Sequence, residues 1–438
     1  MLHSLCTVSH EIKRQIGLLI NRQGKVAYVI VGTAHEIVIP RLSDYRVNPE
    51  RLRGLRLFHT HLDKKGFTQD DLTDLAVIRL DLLNVVEILQ NGSPGKIHTA
   101  HICPERNSEK PWVILDPVHF SGLRLDCAET IQTVENELSH FFTGENLDAG
   151  KRALLVSVTR KPRMEAEESV QELVELAKTN GVKPLDTVIL RPNQPNRKYL
   201  TGKGQLKTLA ISALTMGADT IIFNENLTPT QAKELSGYSD LFIMDRTQLI
   251  LEIFGSRALS RDGKTKVELA QLKYALPRLS ASDDSLSRIR GGIGLKGPGE
   301  TKLEIGRRRI QDRITALEKK LKQMADGRVL RKKARTESGL PLISIVGYTN
   351  SGKSTLFNLL TKSDVYVEDK LFATLDTKSS LLSTQEHGKV VISDTVGFIR
   401  ELPGGLLDAF RSTLEELNDA DLLIHLADIG SNHLETNI

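Results

Sequence analysis

The stretch Gly347-Tyr348-Thr349-Asn350-Ser351-Gly352-Lys353-Ser354 decides the fold of the C-terminal part of this chain. It directly follows the short apolar run 342–346, and the residues from Thr355 onward continue with a helical pattern. A G-x-x-x-x-G-K-S sequence between a strand and a helix is the pattern of a phosphate-binding P-loop. The sequence therefore predicts an α/β domain whose parallel sheet carries a nucleotide site.

Each residue type in this loop suits a polyphosphate ligand. Gly347 and Gly352 let backbone N–H groups curl around the phosphates. Lys353 supplies a cation between the β- and γ-phosphates, and Ser354 offers a hydroxyl to Mg²⁺. Asn350 has two open interpretations: its side chain either helps to hold a monovalent cation such as K⁺, or only stabilises the loop.

A second motif follows at the end of another apolar strand. The run 390–393 leads into Asp394-Thr395-Val396-Gly397, a D-x-x-G pattern. We expect Asp394 to hold Mg²⁺ through water and the Gly397 N–H to sense the γ-phosphate. The next residue is Phe398, which cannot orient an attacking water by hydrogen bonding, so another group must position that water.

The segment between these two motifs is expected to supply a threonine for Mg²⁺. It reads Leu371-Phe372-Ala373-Thr374-Leu375-Asp376-Thr377. Thr374 is the first choice and Thr377 the second. The alternative is an ordinary polar loop.

Length and composition indicate a multidomain protein. With 438 residues the chain is too long for one hydrophobic core, and its net charge of +4 forces no conclusion about partners. The cysteines Cys6, Cys103 and Cys127 have no metal-site spacing and fit a reducing compartment. There is no signal-peptide pattern and no long uncharged apolar run, so we expect a cytoplasmic monomer without a membrane span.

The chain divides into four predicted segments. Residues 1–145 form an α+β extension that opens with a hairpin, strand 15–21 and strand 25–31. Residues 151–260 alternate strand and helix, which favours a parallel sheet. Residues 261–336 are helical, and residues 341–438 form the P-loop domain.

The helical segment is predicted to be an antiparallel hairpin. Leu303, Ile310, Leu317 and Met324 repeat every seven residues, and Ile314 and Leu321 fill the second seam position. The glycine-rich stretch 291–299 interrupts the helices and forms the tip. Cations lie along this segment: Arg288, Arg290, Lys296 and Lys302 flank the tip, and Arg307, Arg308, Arg309, Arg313, Lys319, Lys320 and Lys322 follow on the second helix. Clustered cations of this kind are suited to bind RNA phosphates. The alternative is that they only form a solvated helix face.

Several of these motifs together closely resemble the HflX family of translational GTPases. They are the glycine-rich tip with Pro298-Gly299-Glu300-Thr301-Lys302-Leu303-Glu304, the P-loop, Phe372-Ala373-Thr374-Leu375-Asp376, Asp394-Thr395-Val396-Gly397-Phe398-Ile399-Arg400, Asp245-Arg246-Thr247 and the run 267–272. The resemblance covers about 151–438. It implies GTP hydrolysis, binding to the rRNA of the large ribosomal subunit, and splitting or rescue of stalled ribosomes under stress; nothing indicates DNA.

The motifs and the resemblance together give a set of expected site residues. We expect catalytic roles for Lys353, Thr374 and Gly397, and Mg²⁺ ligation by Ser354, Thr374 and Asp394. Nucleotide contacts are expected along the matched motifs: Gly347, Tyr348, Thr349, Asn350, Ser351, Gly352, Lys353, Ser354, Thr355, Phe372, Ala373, Thr374, Leu375, Asp376, Asp394, Thr395, Val396 and Gly397.

One departure from the family pattern concerns guanine recognition. The family reads guanine with an N-K-x-D motif, which does not occur between Asp394 and Ile438. For residues 1–438 alone we therefore expect weak nucleotide binding with little preference for guanine. Two alternatives stay open: an ATPase, and a non-enzymatic RNA-binding protein with a vestigial nucleotide domain.

The N-terminal segment contains a second candidate site. Phe58-His59-Thr60-His61-Leu62 and Thr68-Gln69-Asp70-Asp71 faintly resemble a JAB/MPN metalloprotease site, in which two histidines and an aspartate bind Zn²⁺. However, Leu62 replaces the usual proline, Thr68 replaces serine, and the spacing is one residue short. These departures favour structural histidines on a strand, without bound zinc.

Overall fold

The computed structural model describes most of the chain. The described residues are 1–40, 42, 45, 51–62, 66–103, 110–122, 126–143, 151–192, 199–236, 241–279, 302–337, 339–361, 372, 378–384, 388–399 and 417–430. Among these residues, no helix has the length and apolar character needed to cross a bilayer. Within the ranges given above the fold is mixed α/β with three sheets, so the predicted fold class is confirmed.

A seven-stranded sheet organises the N-terminal part. Its order is β2-β1-β3-β4-β5-β6, and β7 pairs with β5. The strands are β1 (Ile16–Asn21), β2 (Val26–Val31), β3 (Leu55–His61), β4 (Leu82–Ile88), β5 (Pro94–Ile102), β6 (Trp112–Ile114) and β7 (Val118–His119). The predicted hairpin is confirmed, since β1 and β2 pair antiparallel. β3 lies between β1, to which it is antiparallel, and β4, to which it is parallel.

Three helices accompany this sheet: α1 (Leu2–Ile12), α2 (Gln69–Ile78) and α3 (Cys127–Thr143), with a 3-10 turn at Phe120–Gly122. Helix α2 begins at Gln69, where the Thr68 side chain caps it and Asp71 completes a capping box. Leu55, Leu75 and Leu83 are fully buried in the core between sheet and helices. Each such side chain contributes about 1.5–3 kcal/mol of burial energy.

A four-stranded sheet follows, in the order β11-β10-β8-β9. Its strands are β8 (Arg152–Val158), β9 (Lys183–Leu190), β10 (Thr220–Phe223) and β11 (Phe242–Asp245). The helices of this part are α4 (Arg163–Thr179), α5 (Lys203–Thr215), α6 (Pro229–Ser236) and α7 (Arg246–Arg257). The strand–helix alternation expected from the sequence is present.

Asp245 connects the end of this sheet to the helical segment. Its side chain caps α7 by accepting from Gln248 N at 2.9 Å. The same carboxylate accepts from Leu227 N at 3.0 Å, from the hydroxyl of Tyr274 and from Arg278 Nη2 at 2.5 Å. The Asp-Arg-Thr motif therefore has a structural role, because a buried carboxylate with several donors fixes the chain around it.

The helical segment contains α8 (Arg261–Leu279) and α9 (Lys302–Glu337). The buried side chains of Ile314 and Leu317 fit the predicted seam of α9. Arg313 on α9 donates to both oxygens of Glu268 on α8, at 2.7 and 2.9 Å. The two helices therefore pack against each other. Their antiparallel direction stays a prediction, and the glycine-rich tip lies outside the described residues.

The third sheet carries the P-loop. Its order is β13-β14-β12-β15, formed by β12 (Leu342–Gly347), β13 (Lys378–Thr384), β14 (Gly388–Asp394) and β15 (Leu422–Leu426). β12 is parallel to β14 and β15, whereas β13 is antiparallel to β14. Helix α10 (Lys353–Thr361) follows the loop after β12. Ile345, Phe357 and Ile392 form the core between them.

The chain forms two compact units. One comprises residues 1–154, 185–221 and 234–243; the other comprises 155–184, 222–233 and 244–438. The nucleotide motifs all lie in the second unit, and His59, His61 and Asp71 lie in the first.

Candidate nucleotide site and comparison with known proteins

The P-loop backbone requires its two glycines for different reasons. Gly347 lies so close to β15 that a Cβ there would be 2.4 Å from the carbonyl oxygen of Leu426. Gly352 has open space around it but a φ of +87°, in the left-handed region that glycine adopts without strain. A side chain at the first position would clash, and one at the second would strain the turn that opens α10.

Asn350 also has a left-handed backbone, with φ of 63°. Asparagine is one of the few residues other than glycine that tolerates this region. Its side chain is exposed. The backbone conformation supports the interpretation that Asn350 stabilises the loop, and a role in holding K⁺ stays a prediction.

The side chain of Lys353 folds back into the P-loop. Its ammonium group donates to the carbonyl oxygen of Tyr348 at 2.5 Å, and the residue is only 6% exposed. Burial lowers the pKa of Lys353 to about 8, although the carboxylate of Asp394 opposes this shift. The loop therefore positions a cation in a poorly solvated place, where its attraction for phosphate is strongest.

Two of the three expected Mg²⁺ ligands meet at the end of the sheet. Ser354 lies in the first turn of α10, and its hydroxyl donates to Asp394 Oδ2 at 2.7 Å. Asp394 is the last residue of β14 and is fully buried. A hydroxyl and a carboxylate are oxygen ligands of the kind that Mg²⁺ prefers. The donor set therefore fits the ion that the sequence motifs predicted.

The D-x-x-G segment lies directly against the P-loop. A Cβ at Gly397 would be 2.8 Å from Thr349 Cα and 2.9 Å from Lys353 Nζ. Backbone bonds join the two segments: Thr349 N donates to Phe398 O at 2.7 Å, and Phe398 N donates to Gly347 O at 3.0 Å. A change in the position of Gly397 must therefore be accommodated by the phosphate loop.

Of the segment expected to supply a threonine for Mg²⁺, the structure describes one residue, Phe372. Phe372 is 3% exposed, has a left-handed φ of 57°, and packs edge-to-face against Phe254 of α7 with ring centroids 4.7 Å apart. Ala373, Thr374, Leu375, Asp376 and Thr377 lie outside the described residues, so the choice between Thr374 and Thr377 stays a prediction. Sequence reasoning missed the contact with Phe254, because no local pattern links the two rings.

Three family models match consecutive parts of the chain. Residues 167–255 match a GTP-binding GTPase N-terminal region, and residues 257–335 match a GTP-binding GTPase middle region. Residues 342–438 match a model described as 50S ribosome-binding GTPase.

Curated relatives match about two thirds of the chain. The chain is 48% identical over 288 residues to the GTPase HflX of Caldanaerobacter subterraneus subsp. tengcongensis, which covers 66% of this chain and 67% of that protein. It is 40% identical over 296 residues to the GTPase HflX of Escherichia coli (strain K12), with 67% of this chain and 69% of that protein covered. The chain belongs to the HflX family. It is a P-loop enzyme of the GTP-hydrolysing class, as its motifs predicted.

Among solved structures, the HflX-family chain matches a GTP-binding protein from the archaeon Sulfolobus solfataricus in complex with GDP. The identity is 28%, the match covers 66% of this chain and 74% of that chain, and the TM-score is 0.36. The three family models leave residues 1–166 unmatched. The N-terminal sheet and its histidines therefore lie outside the part of the chain that the family models match.

The unmatched N-terminal part contains a cluster of possible metal ligands. His59 and His61 lie two residues apart on β3, so both side chains point to the same face of the sheet. Asp71, in the first turn of α2, reaches the same place. One donor atom from each of the three residues lies within 4.8 Å of the others. The structure thus brings together the three residues that the sequence had only faintly suggested.

Proposed function

We propose that this HflX-family protein binds the large ribosomal subunit and hydrolyses GTP there with Mg²⁺, and that it splits or rescues stalled ribosomes under stress. The observation that carries the proposal is the phosphate site itself, where Lys353, Ser354, Asp394 and Gly397 converge on one loop. The match of residues 342–438 to a 50S ribosome-binding GTPase model supports the choice of partner.

In this mechanism the residues of the chain have separate tasks. Lys353 attracts the β- and γ-phosphates, and the backbone N–H groups after Gly347 surround them. Ser354 would hold Mg²⁺ directly, with Thr374, and Asp394 through water. When bound, the ion would neutralise developing charge on the phosphates. The Gly397 N–H reports the γ-phosphate, and K⁺ at Asn350 is an additional proposed ligand of the loop.

The four predicted segments are part of the same proposal. We assign 151–260 and 261–336 to the ribosome-contacting part and 341–438 to the nucleotide domain, and we leave 1–145 outside it. The boundaries of the three family-model matches support this division.

Nucleotide-dependent ribosome pelleting tests the proposal. Purified large subunits are sedimented with the protein and a non-hydrolysable GTP analogue, GDP, an ATP analogue or no nucleotide. We expect the GTP analogue to give the most co-sedimentation, and GTP to shift intact ribosomes towards subunits in sucrose gradients. Equal co-sedimentation in every nucleotide state would instead support the non-enzymatic RNA-binding alternative, and a larger effect of the ATP analogue than of the GTP analogue would favour an ATPase.

The cationic surface of α9 gives a separate prediction. Arg309 and Lys319 are exposed and lie on the side of α9 away from the buried Ile314 and Leu317. In the double variant Arg309→Ala/Lys319→Ala we expect weaker binding to large subunits. We also expect the plot of log affinity against log salt to flatten by about 0.7 to 0.9 for each lost phosphate contact. Arg313 is left unchanged because Glu268 already binds it.

The matched control removes two exposed cations elsewhere, in Arg14→Ala/Lys25→Ala. Its salt slope should equal that of the wild type. If the α9 variant also kept the wild-type slope, these two cations would not contact RNA. The tip variant Arg290→Ala/Lys296→Ala is the corresponding test for the glycine-rich segment.

A further inference from the structure

The cluster of His59, His61 and Asp71 has polar atoms that the protein itself leaves without hydrogen bonds. His59 is 0% exposed and His61 is 1% exposed. All four of their ring nitrogens are buried, and no hydrogen-bond partner for them exists among the described residues. Leaving buried polar atoms without partners is unfavourable, because these atoms have lost their hydrogen bonds to water. Two histidines packed only as structural residues would normally donate or accept at one nitrogen or more.

The separations in the cluster are those of atoms around a metal ion. His59 Nε2 lies 3.5 Å from Asp71 Oδ1, and His61 Nε2 lies 3.4 Å from Asp71 Oδ2. Bonds of about 2.0–2.2 Å to a tetrahedral ion place neighbouring ligand atoms about 3.4 Å apart. The nitrogen and oxygen atoms are thus slightly too distant for good hydrogen bonds and well spaced for shared coordination. The three donors all lie within 4.8 Å of one another, so binding would draw the two rings together by small rotations.

The surroundings hold the three groups in place. Thr68 donates to Asp71 Oδ2 twice, from its backbone N and from its hydroxyl, both at 2.7 Å. Thr60, between the two histidines, is fixed by the hydroxyl of Ser9 at 2.7 Å and by Ile16 N at 3.0 Å. Hydrogen bonds that fix a ligand carboxylate and the strand that carries the ligand histidines are typical of the outer shell of a metal site.

We propose that His59, His61 and Asp71 form a binding site for one divalent transition-metal ion, either zinc or iron(II). Two imidazoles and a carboxylate suit zinc or iron(II), whereas Mg²⁺ and Ca²⁺ prefer all-oxygen sites. This proposal replaces the sequence-based expectation of structural histidines.

Another histidine of the same sheet provides the matched control. His98 on β5 aligns through Val85 of β4 with His59, so these residues share one face of the sheet. His101 lies three residues further along β5, so its side chain points to the opposite face. Its Nδ1 lies 2.9 Å from the carbonyl oxygen of Ile102. The variant His101→Gln therefore changes a histidine of this sheet on the face away from the proposed site.

Metal content and cobalt spectroscopy of the full chain test the proposal. The untagged protein is purified without chelators, exchanged into excess Mg²⁺ to fill the P-loop, and assayed for all transition metals by mass spectrometry. We expect about one ion per chain, of zinc or iron, as a site with three protein ligands would hold. His59→Gln, His61→Gln and Asp71→Asn should lose the ion, and His101→Gln should keep it.

Cobalt titration of the metal-stripped wild type keeps the test decisive if the variants fail to fold. Visible bands of a low-symmetry Co²⁺ site, together with a rise in melting temperature on metal addition, would support the proposal. A wild type that holds no transition metal and gives no cobalt bands would overturn it. Retention of the ion in all three folded ligand variants would also overturn it, since the ion would then be elsewhere.

Discussion

Replacing Lys353 by alanine is expected to weaken GTP binding by about 10- to 150-fold, because a hydrogen bond to a charged group contributes about 1.5–3 kcal/mol. Lys353 is the only cationic residue of the P-loop sequence. It is already inside the loop, donating to the carbonyl of Tyr348, so little reorganisation opposes its contact with phosphate. Affinity is measured by calorimetry with GTP and with GDP, in the presence of Mg²⁺.

Lys389→Ala is the control for this variant. Lys389 is an exposed lysine on β14 of the same domain, and its removal changes the net charge equally. We expect the control to bind GTP like the wild type. Circular dichroism confirms that both variants are folded. GTP affinity that stayed unchanged in Lys353→Ala would show that this loop is not the phosphate site.

Replacing Gly397 by alanine is expected to lower the rate of GTP hydrolysis by about tenfold or more, because overpacking of this kind costs about 1–3 kcal/mol. The added methyl group would lie 2.8 Å from the backbone Cα of Thr349. The ammonium group of Lys353, 2.9 Å away, can move aside, but the backbone of Thr349 cannot do so easily. The D-x-x-G segment must then move away from the P-loop. This movement weakens the backbone hydrogen bonds that join Phe398 to Thr349 and Gly347.

The effect on the two nucleotides should differ. GDP lacks the γ-phosphate that Gly397 is proposed to sense, so GDP affinity should change less than GTP affinity. Gly122→Ala serves as the control, since Gly122 has no atom within 4 Å of its added Cβ and no left-handed φ. Wild-type hydrolysis in Gly397→Ala would mean that this contact is not maintained in the active state.

The nucleotide site could be predicted because its information is local. Eight consecutive residues specify the loop, and the flanking apolar runs specify the strand and the helix on which it lies. The structure has β12 and α10 at these positions. The meeting of Ser354 with Asp394 was also predictable, since the carboxyl ends of parallel strands lie at one edge of a sheet.

The histidine cluster was harder to assess for a physical reason. His59 and His61 share a strand, but Asp71 joins them only because α2 starts beside the end of β3. The number of residues between the two motifs does not determine how far Asp71 lies from the histidines. The replacements Leu62 and Thr68 also argued against a metal site. In the structure Thr68 supplies the hydroxyl that holds Asp71. The contact of Phe254 with Phe372 depends likewise on tertiary packing.

That aromatic contact has a thermodynamic consequence. Phe372 belongs to the segment expected to supply a threonine for Mg²⁺, and Phe254 belongs to α7, which precedes the nucleotide domain in the chain. If GTP and GDP favour different populations of the docked Phe372 ring, the two nucleotides also differ in how strongly they stabilise α7. Linkage is reciprocal: any ligand that stabilises α7 with Phe372 docked must change the ratio of GTP to GDP affinity by the same factor. A single pair of rings would thereby let the upstream segment set nucleotide preference at a distance.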